Sequence, residues 1–304
     1  MKKFFQKLFG APEEVPVVEE EISEGLTTMP LDEEELDTAP DVVRRIVPEQ
    51  FIAGSAYSVG KQRDHNEDSL FTFSATIASN NSIVPFGVYI IADGMGGHQN
   101  GEVASEVAVR VMSTHMMNKL LKPLYSVDSE MPQESLQEIM EQGVMLAHEE
   151  VIRRAPGGGT TLTAAMILGN RMTIAHVGDS RAYAVFLDGR MKTLTRDHSL
   201  VRRLEELGQI TAEEAEIHPQ RNVLYRALGQ GEPFDPDVSS APIPKPGYLL
   251  ICSDGLWGVV SDMDMYQIIA ESPSPHRACQ ALIDAANAAG GPDNITAILV
   301  RMPE

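Results

Sequence analysis

The chain has 304 residues, 43% of them hydrophobic, and a formal net charge of −20. That length supports one large domain or two small ones, and a surface this acidic repels phosphate backbones, which argues against nucleic acid as a partner. No run of about 18 apolar residues occurs, so no membrane-spanning helix is predicted.

Positions 1–48 hold twelve acidic and five basic residues, with Pro12, Pro16, Pro30 and Pro40 and little hydrophobic periodicity. Such a stretch buries too little apolar area to offset its ordering entropy and is expected to be a disordered tail. At its tip, Phe4, Phe5, Leu8 and Phe9 fall on one helical face opposite Lys2, Lys3 and Lys7. Residues 1–9 thus have a pattern suited to a peripheral membrane contact or a partner's groove. The competing reading is a frayed end, since nine residues make a marginal helix. The start lacks the apolar core and cleavage site of a secretory signal. Cys252 and Cys279 lie far apart, and with fifteen methionines they fit a reducing cytoplasm.

From position 49 the composition is that of an ordered domain extending to 304. Strands are predicted at 51–59, 69–73, 86–92, 161–168, 172–177, 182–187, 248–252 and 295–300, each an apolar, β-branched run bounded by turn residues. Asp188-Gly189 marks a hairpin. Helical spacing appears at 103–121, 133–153, 263–270 and 273–289. Strands in clusters and helices in pairs predict an antiparallel α+β layering over a repeating parallel plan.

Acidic residues recur where apolar strands end. The strand 89–92 delivers Asp93 to Gly94-Met95-Gly96-Gly97, where backbone carbonyls approach a ligand closely. Asp254-Gly255 follows the strand 248–252, Asp179 follows His176-Val177-Gly178, and Asp293-Asn294 precedes the strand at 295. Upstream, Arg63 stands close to Glu67 and Asp68. Carboxylates and carbonyls are hard oxygen ligands, suited to Mg²⁺ or Mn²⁺. A single Asp-Gly is more often a plain bend, and His98 and His176 alone would be ordinary surface or core histidines. The glycines at 157–159 lack the lysine of a phosphate loop. Neither cysteine begins a Cys-x5-Arg loop, because Gly258 and Ala285 stand at the required positions.

The ordered series Arg63-Asp-His-Asn-Glu67-Asp68, Asp93-Gly-Met-Gly-Gly, Gly159-Thr-Thr-Leu-Thr, Gly178-Asp-Ser-Arg, Ser253-Asp-Gly-Leu-Trp and Gly291-Pro-Asp-Asn resembles the metal-dependent protein phosphatases of type 2C, bacterial branch. The resemblance runs from about Ile52 to Met302. It implies a four-layer α-β-β-α sandwich of two antiparallel sheets flanked by helices, a dinuclear Mn²⁺ or Mg²⁺ centre, and phosphoserine or phosphothreonine proteins as substrates. By the same resemblance Asp93 bridges both metals, the Gly94 carbonyl binds one, and Asp254 and Asp293 bind the other. Glu67 reaches the second metal directly or through water, Asp68 orients a bound water, and Arg63 grips the phosphate. Asp179 resembles the ligand of a third, weaker metal shared with Asp254. Two positions depart from the pattern. Met95 stands where animal relatives carry a proposed histidine acid, which leaves His98 or a metal-bound water as the proton donor. Gly258 stands where many relatives carry an aspartate that supports the third metal. Residues 195–230 resemble the flap beside the cleft, expected to select substrates. By analogy, a bacterial serine/threonine kinase is the expected opponent. The rival reading is a pseudophosphatase that binds phosphoproteins without turnover; such relatives typically lose metal carboxylates that are present here.

Overall fold

The computed structural model describes residues 49–79, 82–96, 99–125, 133–231 and 234–303. The predicted tail and its amphipathic tip lie outside them, as does His98.

Two antiparallel sheets form the centre. One runs β1 (Ile52–Ser58), β11 (Ile295–Arg301), β10 (Gly247–Cys252), β7 (Arg181–Phe186) and β8 (Met191–Thr193). The other runs β2 (Asp68–Ser79), β3 (Ser82–Met95), β5 (Leu162–Leu168), β6 (Arg171–Val177) and β9 (Asp237–Pro242), with the two-residue β4 (Gly159–Thr160) also on β3. The strand alternation explains the layering. Tyr89 and Ile91, Leu249 and Ile251, and Ile298 and Val300 point between the sheets into one buried cluster. Leu250, Cys252, Ala297 and Leu299 point the other way.

That outer face is covered by α5 (Asp262–Glu271) and α6 (Pro275–Ala288), through Met265, Ile269, Cys279 and Leu282. On the opposite side α1 (Gln99–Met116) packs on β2, β3 and α2 (Leu136–Arg154). α1 runs on into a π-helical turn, Met117–Leu121. α2 starts with a capping box, Ser135 and Glu138 satisfying each other's backbone amides. The result is the four-layer sandwich that the motifs implied.

Two expectations need correction. β2 was predicted to stop at 73 but continues to Ser79, because it is the outer arm of a long ribbon registered to β3 from Asp68↔Asp93 to Ser79↔Ser82. β9 was not predicted. Its sequence, Asp-Val-Ser-Ser-Ala-Pro, is polar, and it is an edge strand held by backbone pairing to β6. The Asp188-Gly189 hairpin does join β7 to β8.

Candidate active site

Antiparallel pairing brings one rim of both sheets together. The starts of β2, β5, β7 and β11 and the ends of β3, β6 and β10 all lie there. Register places Asp68 directly across from Asp93. Asp179 sits in the turn between β6 and β7, Asp254 two residues past β10, and Asp293 two residues before β11. A cleft of about 220 Å³ is lined by Arg63, Glu67, Asp93, Gly94, Asp179, Asp254 and Asp293, so residues scattered over some 230 positions share one site. Asp68 stands behind it, half-buried, with its Oδ1 fully enclosed.

The backbone around these carboxylates is tightly fixed. Thr160 Oγ1 donates to Asp93 O (2.9 Å) and Asp93 N donates to Thr161 Oγ1 (2.9 Å). Gly94 N donates to Glu67 O at 3.1 Å. A Cβ on Gly94 would lie 2.2 Å from Gly101 O and 2.7 Å from Glu67 O, so only glycine fits where α1 crosses the strand end. Asn294 holds the 59–67 loop, accepting from Glu67 N (2.8 Å) and donating to Val59 O (3.0 Å) and His65 O (2.9 Å). Asp68 Oδ2 accepts from Ser253 Oγ (3.0 Å) and Thr296 Oγ1 (2.6 Å).

The cluster is electrostatically loaded. Burial first, and then repulsion from Asp68 and Asp254, push the Asp93 carboxyl well above the usual range. Burial and Asp254 do the same to Asp179. Asp254 is raised to about 6 by burial and Asp293, and Asp68 to about 7 chiefly by burial against its two hydroxyl donors. Asp293 reaches Arg63 Nη2 at 2.7 Å and Glu67 reaches His65 Nε2 at 2.9 Å. Among the described residues, no three acidic, histidine or cysteine side chains already converge as a formed ligand set. The donor chemistry still fits a hard divalent cation. Asp68 Oδ1 and Asp254 Oδ1 are buried without a hydrogen-bond partner, and several carboxylates crowd one pocket beside the Gly94 backbone.

All the proposed metal ligands therefore meet, as does Arg63. Reading the sequence alone missed the roles of the buried hydroxyls Thr161, which fixes the Asp93 backbone, and Ser253 and Thr296, which fix the Asp68 carboxylate, and missed Asn222 and Leu224, which line the far wall. Ser253 adjoins Asp254, a proximity that could have singled it out; Thr296 reads only as a strand residue. The thiols play no part: both are buried, and burial pushes Cys279 up to about 12 and Cys252 higher still.

Comparison with known proteins agrees with this geometry. Residues 52–295 match the family model described as Protein phosphatase 2C. The chain is 38% identical over 241 residues to a serine/threonine phosphatase, stp, of Listeria innocua, covering 79% of this chain and 92% of that protein. The crystal structure of the Mycobacterium tuberculosis serine/threonine phosphatase PstP/Ppp superposes with a TM-score of 0.68 at 30% identity, covering 84% of this chain and 100% of that one. The PstP catalytic domain in complex with two manganese ions superposes at 0.66 and 29% identity, with the same coverage. Strand-end carboxylates, the glycine turn and the two-sheet sandwich agree with these matches: the chain belongs to the protein phosphatase 2C family.

Proposed function

We propose that the chain is a metal-dependent protein serine/threonine phosphatase that hydrolyses phosphoserine and phosphothreonine on proteins. The observation that carries this is the convergence of Asp93, Asp179, Asp254, Asp293 and Glu67 on one cleft beside Arg63. Asp93 and the Gly94 carbonyl, with Asp254, Asp293 and Glu67, would hold two Mn²⁺ or Mg²⁺ ions, and Asp179 a weaker third. When bound, such ions supply an activated water and offset the charge of in-line attack on phosphorus.

The chain's own groups do the rest. Arg63, half-exposed at the mouth of the cleft, presents a planar fork to the phosphate oxygens. Asp68, locked by Ser253 and Thr296, orients water from behind the ligands. The segment 195–230 forms the substrate-side flap through Asn222 and Leu224, which face the cleft. A complete carboxylate set disfavours the pseudophosphatase reading. The opposing partner in this reading is a serine/threonine kinase and the location is cytoplasmic; no helix among the described residues is long and apolar enough to cross a membrane.

The test is phosphate release from a phosphothreonine peptide with Mn²⁺, with EDTA, and with Asp254→Asn. Release that needs Mn²⁺ and is lost in the variant supports the reading; metal binding without turnover on any phosphopeptide would overturn it.

A further inference from the structure

His198 stands at the base of the 195–230 segment, buried against the turn that presents Asp179. It clasps Gly178 from two sides. His198 N donates to Gly178 O at 2.7 Å, and Gly178 N donates to His198 Nδ1 at 3.1 Å. Gly178 has φ +108°, and a Cβ there would lie 2.5 Å from Thr161 Cγ2, so the turn has little room to relax. An amide N–H only donates, so Nδ1 is the acceptor and the ring proton lies on Nε2, facing Asp237 Oδ2 at 3.1 Å. The 3.3 Å approach of Arg226 Nη1 to Nε2 is then a contact between two donors, and the hydrogen bond from Arg226 goes to Asp237 Oδ1 at 2.9 Å.

The neighbouring residue grips the same turn. Asp197 takes Arg181 through both oxygens, Nη2–Oδ2 2.7 Å and Nε–Oδ1 3.1 Å. Arg181 lies 3.5 Å over the Trp257 ring, whose indole N–H donates to Asp179 O at 3.1 Å. Outward from the turn, Tyr225 N donates to His198 O (2.9 Å) and Leu200 N to Val223 O (2.8 Å). Those bonds hold 222–225, so the wall bearing Asn222 and Leu224 and the turn bearing Asp179 hang from one imidazole and its backbone.

We propose that His198 is a positioning residue that couples the 195–230 segment to Asp179: its Nδ1 side fixes the metal-facing turn, and its Nε2 side steadies the substrate-facing wall through Asp237, which holds Arg226 next to Tyr225. Its kinetic consequences rest on the phosphatase reading; its tautomer and its effect on metal binding do not.

Two substitutions in the full chain separate the sides. His198→Asn keeps an acceptor near the Nδ1 position and loses Asp237. His198→Gln places a donor near Nε2 and loses the side-chain half of the Gly178 clasp, the backbone bond to Gly178 O remaining. Calorimetric Mn²⁺ titration should show the weakest site about tenfold weaker in the Gln variant and unchanged in the Asn variant. The Asn variant should raise KM for a phosphothreonine peptide about fivefold, with KM for p-nitrophenyl phosphate unchanged. Equal losses in every readout, in proportion to lost Tm, would reduce His198 to a structural residue and overturn the proposal. The ¹⁵N spectrum of the wild-type imidazole gives a check that needs no variant: an Nε2–H tautomer is expected, and an Nδ1–H tautomer contradicts the clasp. If no phosphopeptide is turned over, the function falls while the titration and the spectrum still decide this proposal.

Discussion

The two walls of the cleft are built by different means. On one, Asp68, Asp93, Asp254 and Asp293 are placed by strand register and by buried hydroxyl and amide donors, with a glycine where no Cβ fits. On the other, 195–230 carries short helices, α3 (Leu200–Glu206) and α4 (Ala212–Glu216), exposed Leu207, Ile217 and Val223, and surface pairs such as Arg202–Glu205. Exposed pairs of that kind contribute little, about 0–1 kcal/mol each. The first wall has one arrangement set by the core; the second is tied down at few points, His198 and the Thr160–Leu228 backbone pair among them. Chemistry placed on the rigid wall and selection on the loosely tied one would give substitutions of opposite character.

That division can be broken at its strongest point first. Asp93→Asn should lower kcat on every substrate, peptide or small ester, by roughly a thousandfold, since electrostatic stabilisation of the developing charge is the largest catalytic contribution; steady-state rates on both substrates check it. Arg63→Lys keeps the charge and loses the fork, and should raise KM about tenfold on both substrates with a smaller change in kcat. Asn222→Ala, on the other wall, should raise KM for the phosphopeptide about fivefold, the loss of about one hydrogen bond, and leave p-nitrophenyl phosphate unaffected. Equal effects on both substrates would dissolve the distinction between the walls.

Folding raises the carboxyls of Asp254 to about 6 and Asp68 to about 7, so between pH 4 and 7 the folded chain holds protons that the unfolded chain releases. In EDTA, the stability from this cluster is therefore full below about pH 4 and is lost as pH rises through 6 to 7. Urea midpoints should fall from pH 5 to pH 7.5, the slope should flatten in Asp254→Asn, and saturating Mn²⁺ should restore the midpoint at pH 7.5. A midpoint that rises with pH in EDTA would mean the carboxylates do not repel one another as the structure places them.

The rigid wall was the legible one. Asp93, Asp179 and Asp254 each sit beside a glycine at the end of an apolar run, and a run of alternating or continuous hydrophobic residues is what a single sequence displays best. β9 escaped notice because an edge strand as polar as Asp-Val-Ser-Ser-Ala-Pro carries little burial pattern, and the far half of β2 because Ile77 is its single large apolar residue among serine, alanine and threonine. Thr296 and Thr161 look like ordinary strand formers, and their roles appear only once pairing sets which face they take. His198 was hidden for the same reason, since its partners Gly178 and Asp237 are 20 and 39 residues away.

The central claim is that these carboxylates form one metal centre on which hydrolysis depends. Mn²⁺ titration of EDTA-stripped protein, with phosphate release followed on the same sample, tests it most directly. Two tight Mn²⁺ per chain with a weaker third are expected, with activity rising as the tight sites fill and both lost in Asp93→Asn. Full phosphatase activity in metal-stripped protein, or unchanged tight binding in that variant, would contradict it.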